Sequence, residues 1–216
     1  MSSPRRRIAA VPVVVPVLLA VATLSGCITG QRPRFEETVA AASETGNPPI
    51  DAVLDRLDGV QGSVLTADYE IVGAGGDRVD ARVVLADDGR RAITIGDVRY
   101  VITGESGITC DLTSGECEAS INEARISNLQ LTHDFYASAF ATRLRVDADR
   151  RIQDPTPYTE ELAGQEATCV LVPVTGGEKT YCALDSGALA RYLGPDVDIR
   201  LVGLSPDVDE SQFATS

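Results

Sequence analysis

The sequence predicts an α+β domain in which an antiparallel sheet is interrupted by helices. Three observations lead there. From Ser63 apolar residues recur at every second position, turn residues then punctuate the chain as far as Ile102, and a helical stretch from Ile121 to Arg151 precedes three further strands. Antiparallel strands with segregated helices form a sheet that the helices must cover on one face.

The elements follow in order. Residues 28–34 read as a short polar tether, with Gly30 and Pro33, that holds the domain within a few nanometres of its attachment point. A helix is expected over Phe35 to Ala42, and a second after Pro48-Pro49, where Ile50, Val53, Leu54 and Leu57 repeat at helical spacing and Gly59 ends the run. Leu65, Ala67, Tyr69 and Ile71 alternate with Thr66, Asp68 and Glu70, the pattern of a half-buried strand. Glycine-containing turns at 73–77, 87–89 and 96–97 separate strands at 81–86, 92–95 and 98–102.

Within the helical stretch, Phe135, Tyr136, Ala139, Phe140 and Leu144 form one apolar face opposite Arg143, Arg145 and Asp147. Strands at 167–174 and 179–184 flank Thr175-Gly176-Gly177-Glu178. A turn of helix is expected at Gly187 to Leu193 and a last strand at Val197 to Leu204, and the polar tail offers Phe213 as an anchor. No repeat divides residues 35–216, which read as one domain.

The start of the chain has the plan of an export signal: Arg5-Arg6-Arg7, then an uncharged apolar run from Ile8 to Leu24. Pro12 and Pro16 argue against a membrane span, and the run ends in Leu24, Ser25, Gly26 and Cys27, a lipobox. Small residues let a peptidase reach the bond before Cys27, whose thiol takes a diacylglyceryl group. Residues 1–26 are thus expected to be a cleaved signal peptide and 27–34 the lipidated cysteine and tether. Two acyl chains give a stable anchor, so the domain is expected to be tethered to the cell membrane on its extracytoplasmic side. Arg7-Ile8-Ala9-Ala10 matches the twin-arginine consensus poorly, and the export route stays open.

Cleavage would remove three arginines and no acid, moving the formal charge from −13 to −16. That argues against nucleic acid or anionic-lipid headgroups as partners of the folded domain. Beyond Cys27 stand Cys110, Cys117, Cys169 and Cys182, an even number that in an exported chain means disulfides. Of the three pairings the two local ones are preferred, Cys110 with Cys117 and Cys169 with Cys182; the second places its hairpin turn between Thr175 and Gly176. Their spacing fits neither a redox nor a metal site.

Catalytic motifs are not recognisable. His133 is the sole histidine, Gly104-Glu105-Ser106-Gly107-Ile108 lacks the last glycine of a nucleophile elbow, and the glycines at 73–76 lead into a strand without the Lys-Ser/Thr of a phosphate loop. Asp196 with Asp198, and Asp207 with Asp209, belong to no calcium-loop pattern. Neither metal nor cofactor is expected. The apolar helix face (Phe135, Tyr136, Ala139, Phe140, Leu144) and the strand residues Tyr69, Ile71, Tyr100 and Ile102 are either core or the lining of an apolar ligand cavity.

The lipobox, the meander, the helical insertion and the stretch from Gln165 to Phe213, which contains QEATCVLVPVTGGEKTYCALDSGALARYLGPDVDIRLVGLSPDVDESQF, resemble actinobacterial lipoproteins of the LolA-like superfamily. One Lys, Lys179, against 18 Arg suits such a high-GC genome, although a haloarchaeal source would also explain the acidity. The resemblance implies a half-barrel of about seven or eight strands with helices in its concave side, as in the LppX- and LprG-like proteins that bind acylated lipids. The leading expectation is therefore a membrane-anchored, non-enzymatic carrier of a lipid or other apolar ligand. The alternative is a lipoprotein with a packed core that docks to an envelope protein; a small-molecule binding subunit ranks third.

Overall fold

The computed structural model describes residues 44–60 and 62–215. The signal peptide, lipobox, tether and helix expected between Met1 and Ala42 lie outside the described residues.

Helix α1 (Pro48–Asp58) begins where expected because three local features agree. Asn47 accepts from the Ile50 N–H, Pro48 and Pro49 occupy positions that need no amide donor, and Asp51 sits in the first turn, where it also binds Thr45. Ile50, Val53, Leu54 and Leu57 form its buried face, as their spacing requires.

Eleven strands then form one sheet. The first six are β1 (Leu65–Gly73), β2 (Arg78–Leu85), β3 (Arg91–Ile95), β4 (Val98–Thr103), β5 (Ser106–Asp111) and β6 (Cys117–Glu118). A 3-10 turn (Glu123–Leu129) and helix α2 (Ser138–Arg150) follow. The remaining strands are β7 (Thr156–Leu162), β8 (Gln165–Val174), β9 (Gly177–Ala183), β10 (Leu189–Leu193) and β11 (Val197–Ser205). The spatial order is β6-β5-β4-β3-β2-β1-β11-β10-β9-β8-β7, with every neighbour antiparallel. Two meanders therefore meet where β1 pairs with β11. A register shift at Asp68/Tyr69 marks that seam, the kind of irregularity that increases twist and bends an open sheet.

The sheet thus has eleven strands, not seven or eight. β5, β6 and β7 carry too little apolar alternation to announce themselves; β7 is an edge strand whose residues are exposed except near Leu162. Residues 189–193 form strand β10, not a turn of helix, because Tyr192 lies between Tyr181 of β9 and Ile199 of β11, and sheet pairing overrides the helical preference of Leu-Ala-Arg-Tyr-Leu. The preceding turn requires Gly187: its φ is +87°, and a Cβ there would stand 2.5 Å from the Val60 nitrogen.

Both local disulfides are present. Cys169 and Cys182 face each other across β8 and β9, and Cys110 and Cys117 across β5 and β6, with Cα separations of 4.0 and 4.1 Å. Helices α1 and α2 and the segment from Ile126 to Ala137 cover one face, burying Tyr69, Ile71, Ile93, Tyr100, Val170, Tyr181, Tyr192 and Ile199. Val84, Ala92 and Val101 are buried on the opposite face, outside that cluster. Among the described residues no helix is long and apolar enough to cross a membrane.

Candidate functional site

The residues expected to line a cavity do gather on the helix-covered face, but most of them close on one another. Tyr69, Ile71, Tyr100, Ile102, Phe135, Tyr136, Phe140 and Leu144 are between 0 and 5% exposed, and Ala139 is half-buried. The Phe135 ring meets Tyr69 edge-on at 5.1 Å and Tyr136 at 6.3 Å, and Phe140 lies 4.6 Å from Tyr192. Such close edge contacts fill the centre of the concave side. Of the nine, Tyr136 borders open space.

That space is a pocket of about 370 Å³ at one rim of the sheet, within the size range of small-molecule sites. Leu57 and Val60 at the end of α1, Leu85 and Ala86 at the end of β2, and Tyr136 and Ala137 before α2 form its apolar body. Ser63, Asp58, Asp87, Arg90, Arg91 and Ser138 form its edge. Pairing fixes where Arg91 points: Leu85, Arg91 and Ile102 lie opposite one another on β2, β3 and β4, so Arg91 shares the helix-facing side with two core residues.

The charges at this rim are unequally compensated. Asp58 pairs with Arg145, and Arg90 with Asp88 and Glu210. Among the described residues no ion pair involves Arg91 or Asp87. The neighbour of Arg91 is the Tyr136 phenol: burial raises the pKa of that phenol, while the nearby Arg91 guanidinium opposes the rise. A partly buried guanidinium beside a pocket of mixed polarity can accept an anionic group through paired N–H donors.

The other half of the sheet carries a polar hub. Asp147 of α2, expected on the solvent side, is 3% exposed and accepts from Lys179 Nζ at 2.8 and 2.9 Å and from the Tyr181 hydroxyl. Arg143 pairs with Asp196 and lies 5.0 Å over the Tyr192 ring, whose hydroxyl donates to Asp196 at 3.1 Å. Burial, then Asp147, push the Tyr181 phenol far above its ordinary range, and burial does the same to Tyr192. An open depression of about 520 Å³ adjoins Asp147 and Lys179. Every strong polar group of this hub has a partner, which marks it as structural.

His133 lies before α2, where its Nδ1 stands 2.7 Å from Glu123 Oε1; the same oxygen accepts from the His133 N–H at 2.9 Å. Glu123, His133 and Asp134 bring three ligand-type atoms together. They serve as hydrogen-bonding partners of this connection, since Asp134 also accepts from Thr132 and Ser138. Sequence reasoning missed Arg91, Asp147 and Lys179. The one available signal was that Lys179 is the sole lysine of the chain.

No family model matches the chain, and no curated protein matches it. Solved structures with similar layout include MucB in complex with MucA(peri), with a TM-score of 0.45, 11% identity, and 76% of this chain covered. A Pseudomonas aeruginosa MucA/MucB complex gives 0.44, 10% and 76%, and an uncharacterized conserved protein from Thermus thermophilus gives 0.44, 12% and 76%. The match spans 58% of the MucB chain in the first, 60% of the chain in the second and 91% of the Thermus protein.

Proposed function

We propose that this protein is a lipoprotein, anchored through Cys27 on the extracytoplasmic side of the cell membrane, that holds an amphiphile with one apolar chain and an anionic head in the rim pocket. The observation that carries the reading is the pocket itself, in which Leu57, Val60, Leu85 and Tyr136 give apolar surface beside a polar lining, and Arg91 in that lining has no carboxylate partner among the described residues. An acyl chain would bury against the leucines, and its carboxylate or phosphate would take the guanidinium. The proposal includes no catalytic step.

A second reading, a lipoprotein that docks to an envelope protein, is favoured by the filled centre of the concave side. One experiment separates the two. The Cys27→Ala chain, exported from an actinobacterial host, is examined by native mass spectrometry and its bound lipids are extracted. The carrier reading expects one acylated anion per chain, loss of that species in Leu85→Trp, and about tenfold weaker retention in Arg91→Ala, equal to ~1.4 kcal/mol. A protein that stays empty after incubation with fatty acid and phosphatidylglycerol vesicles overturns the carrier reading in favour of docking. Recovery of the wild-type chain, but not Cys27→Ala, in the membrane fraction tests the anchor.

A further inference from the structure

The outer face of the first meander is covered by the chain's own C-terminal segment, residues 206–215. Leaving β11, the segment crosses β1, β2, β3 and β4 in turn. Thr66 Oγ1 donates to the Asp207 carbonyl at 2.7 Å and accepts from the Asp209 N–H at 3.3 Å. Arg82 holds Asp209 at 3.3 Å, and Arg90 grips both oxygens of Glu210 at 3.1 and 3.2 Å while standing 4.4 Å over the Phe213 ring. Thr94 meets Gln212 at 3.2 Å, and Arg99 reaches the Ala214 carbonyl at 3.5 Å.

Two properties distinguish this seat from an ordinary tail contact. In a chain with 32 acids and 19 basic residues, it gathers three arginines, Arg82, Arg90 and Arg99, on one face, the first two also paired with Asp68 and Asp88. Beneath it lie Val84, Ala92 and Val101, which are buried although they point away from the helix-covered core. The pairing of Val84 with Ala92 and of Ala92 with Val101 makes them one continuous apolar strip. The segment makes no sheet ladder. It is held by side chains and by half-exposed ion pairs, each worth about 0 to 1 kcal/mol, so it is among the first parts of the molecule to open.

We propose that this groove is a docking site for an acidic protein segment bearing an aromatic side chain, and that residues 206–215 are its built-in competitor. The arginines would take the partner's carboxylates, Arg90 would stack on its aromatic ring, and the apolar strip would be covered in turn. Occupied by the tail, the groove is closed. A partner segment must displace a ligand that is tethered beside it at an effective concentration in the millimolar range.

The test uses a fluorescent peptide of residues 206–216 and the full chain in detergent. Glu210→Arg/Phe213→Ala removes two of the tail's holds and leaves the groove intact; a chain ending at Ser205 is the second released form. The peptide should bind the released forms about tenfold or more tighter than wild type. Adding Arg82→Glu/Arg90→Glu should abolish binding, and a Phe213→Ala peptide should bind several-fold more weakly. Absence of peptide binding to both released forms, when proteolysis shows residues 206–215 detached or deleted, overturns the proposal. Equal binding after the arginine reversals also overturns it. Wild-type chains that self-associate, and that the peptide separates, would make the occupant a second copy and overturn the partner assignment.

Discussion

The two halves of the sheet share one antiparallel wiring and differ in what covers them. Over β7, β8 and β9 lie two regular helices, α1 and α2, and the polar groups caught beneath them are paired: Asp147 with Lys179 and Tyr181, Arg143 with Asp196. Over β1 to β5 the cover is a 3-10 turn and the irregular segment from Leu131 to Ala137, and this half ends in the rim pocket that Arg91 borders. Regular cover pairs the buried charges of the second half and leaves its space as an open depression beside Asp147, Arg150 and Lys179. Irregular cover leaves a pocket bordered by core residues and by Arg91 and Asp87, neither of which enters an ion pair among the described residues.

The most direct way to break this contrast is to remove the hub that pairs the buried charges of the second half. Asp147→Ala leaves Lys179 and the Tyr181 hydroxyl without their shared acceptor. Loss of one partner of a buried ion pair costs about 3 to 5 kcal/mol, and because Lys179 keeps some solvent access the expected value is near the lower end. Urea unfolding at neutral pH measures it. The double change Asp147→Leu/Lys179→Met should recover most of the loss, since an apolar pair of similar volume replaces both charges. A cost below about 1 kcal/mol would mean that the hub does not hold this half together.

The halves also differ in how far they could be read from sequence, for the same reason. Strict alternation in Leu65 to Ile71 reflects a strand with one dry face, and the helix at 48–58 announced itself through its prolines and apolar spacing. Opposing Cys169 and Cys182 fixed a register that the structure reproduces. Strand β7 was illegible because an exposed edge imposes no pattern, and β10 because its neighbours, not its own residues, make it a strand. Asp147 was expected on the face opposite the core, and Arg91 carries no pattern of its own. Their positions depend on cross-strand register and on which side of α2 meets β9, which are tertiary facts. Whether the concave side held a void depended on the packing of Tyr69 against Phe135, a relation between distant residues that periodicity does not encode.

A smaller effect distinguishes the two disulfides. The Cys169–Cys182 bridge closes the longer loop, with a sequence separation of 13 against 7. Loop-closure entropy gives about 3 kcal/mol for it and about 2.5 kcal/mol for Cys110–Cys117. Paired alanine variants, unfolded in urea, should show that order. Hydrogen exchange sharpens the comparison. Loss of Cys110–Cys117 should loosen β6 at the sheet edge and leave β8 protected, whereas loss of Cys169–Cys182 should lower protection across β8, β9 and β10 together.

The smallest effect is a difference in pH response. Asp88, Asp111 and Asp209, all on the first half or its strap, are held below the ordinary aspartate range. Asp88 owes this first to the Arg90 N–H, Asp111 to the Ser114 N–H and then Arg125, and Asp209 to the Ser211 hydroxyl. A carboxyl whose folded pKa is lowered stabilises the fold above its unfolded value near 4 and loses that contribution as pH falls through the folded pKa. Tyr181 and Tyr192 have the opposite sign. Their phenols are held above the ordinary value near 10, so their contribution is complete below it and declines as pH rises beyond it. Acid should therefore release residues 206–215 and the turn at 111–115 first, whereas alkali should act on both halves, because burial also raises the Tyr69, Tyr100 and Tyr136 phenols of the first. Amide exchange or NMR at about pH 3 and again above about pH 10 would show it. Loss of protection in β9 before the strap, on the acid side, would assign the weak half of this molecule to the wrong meander.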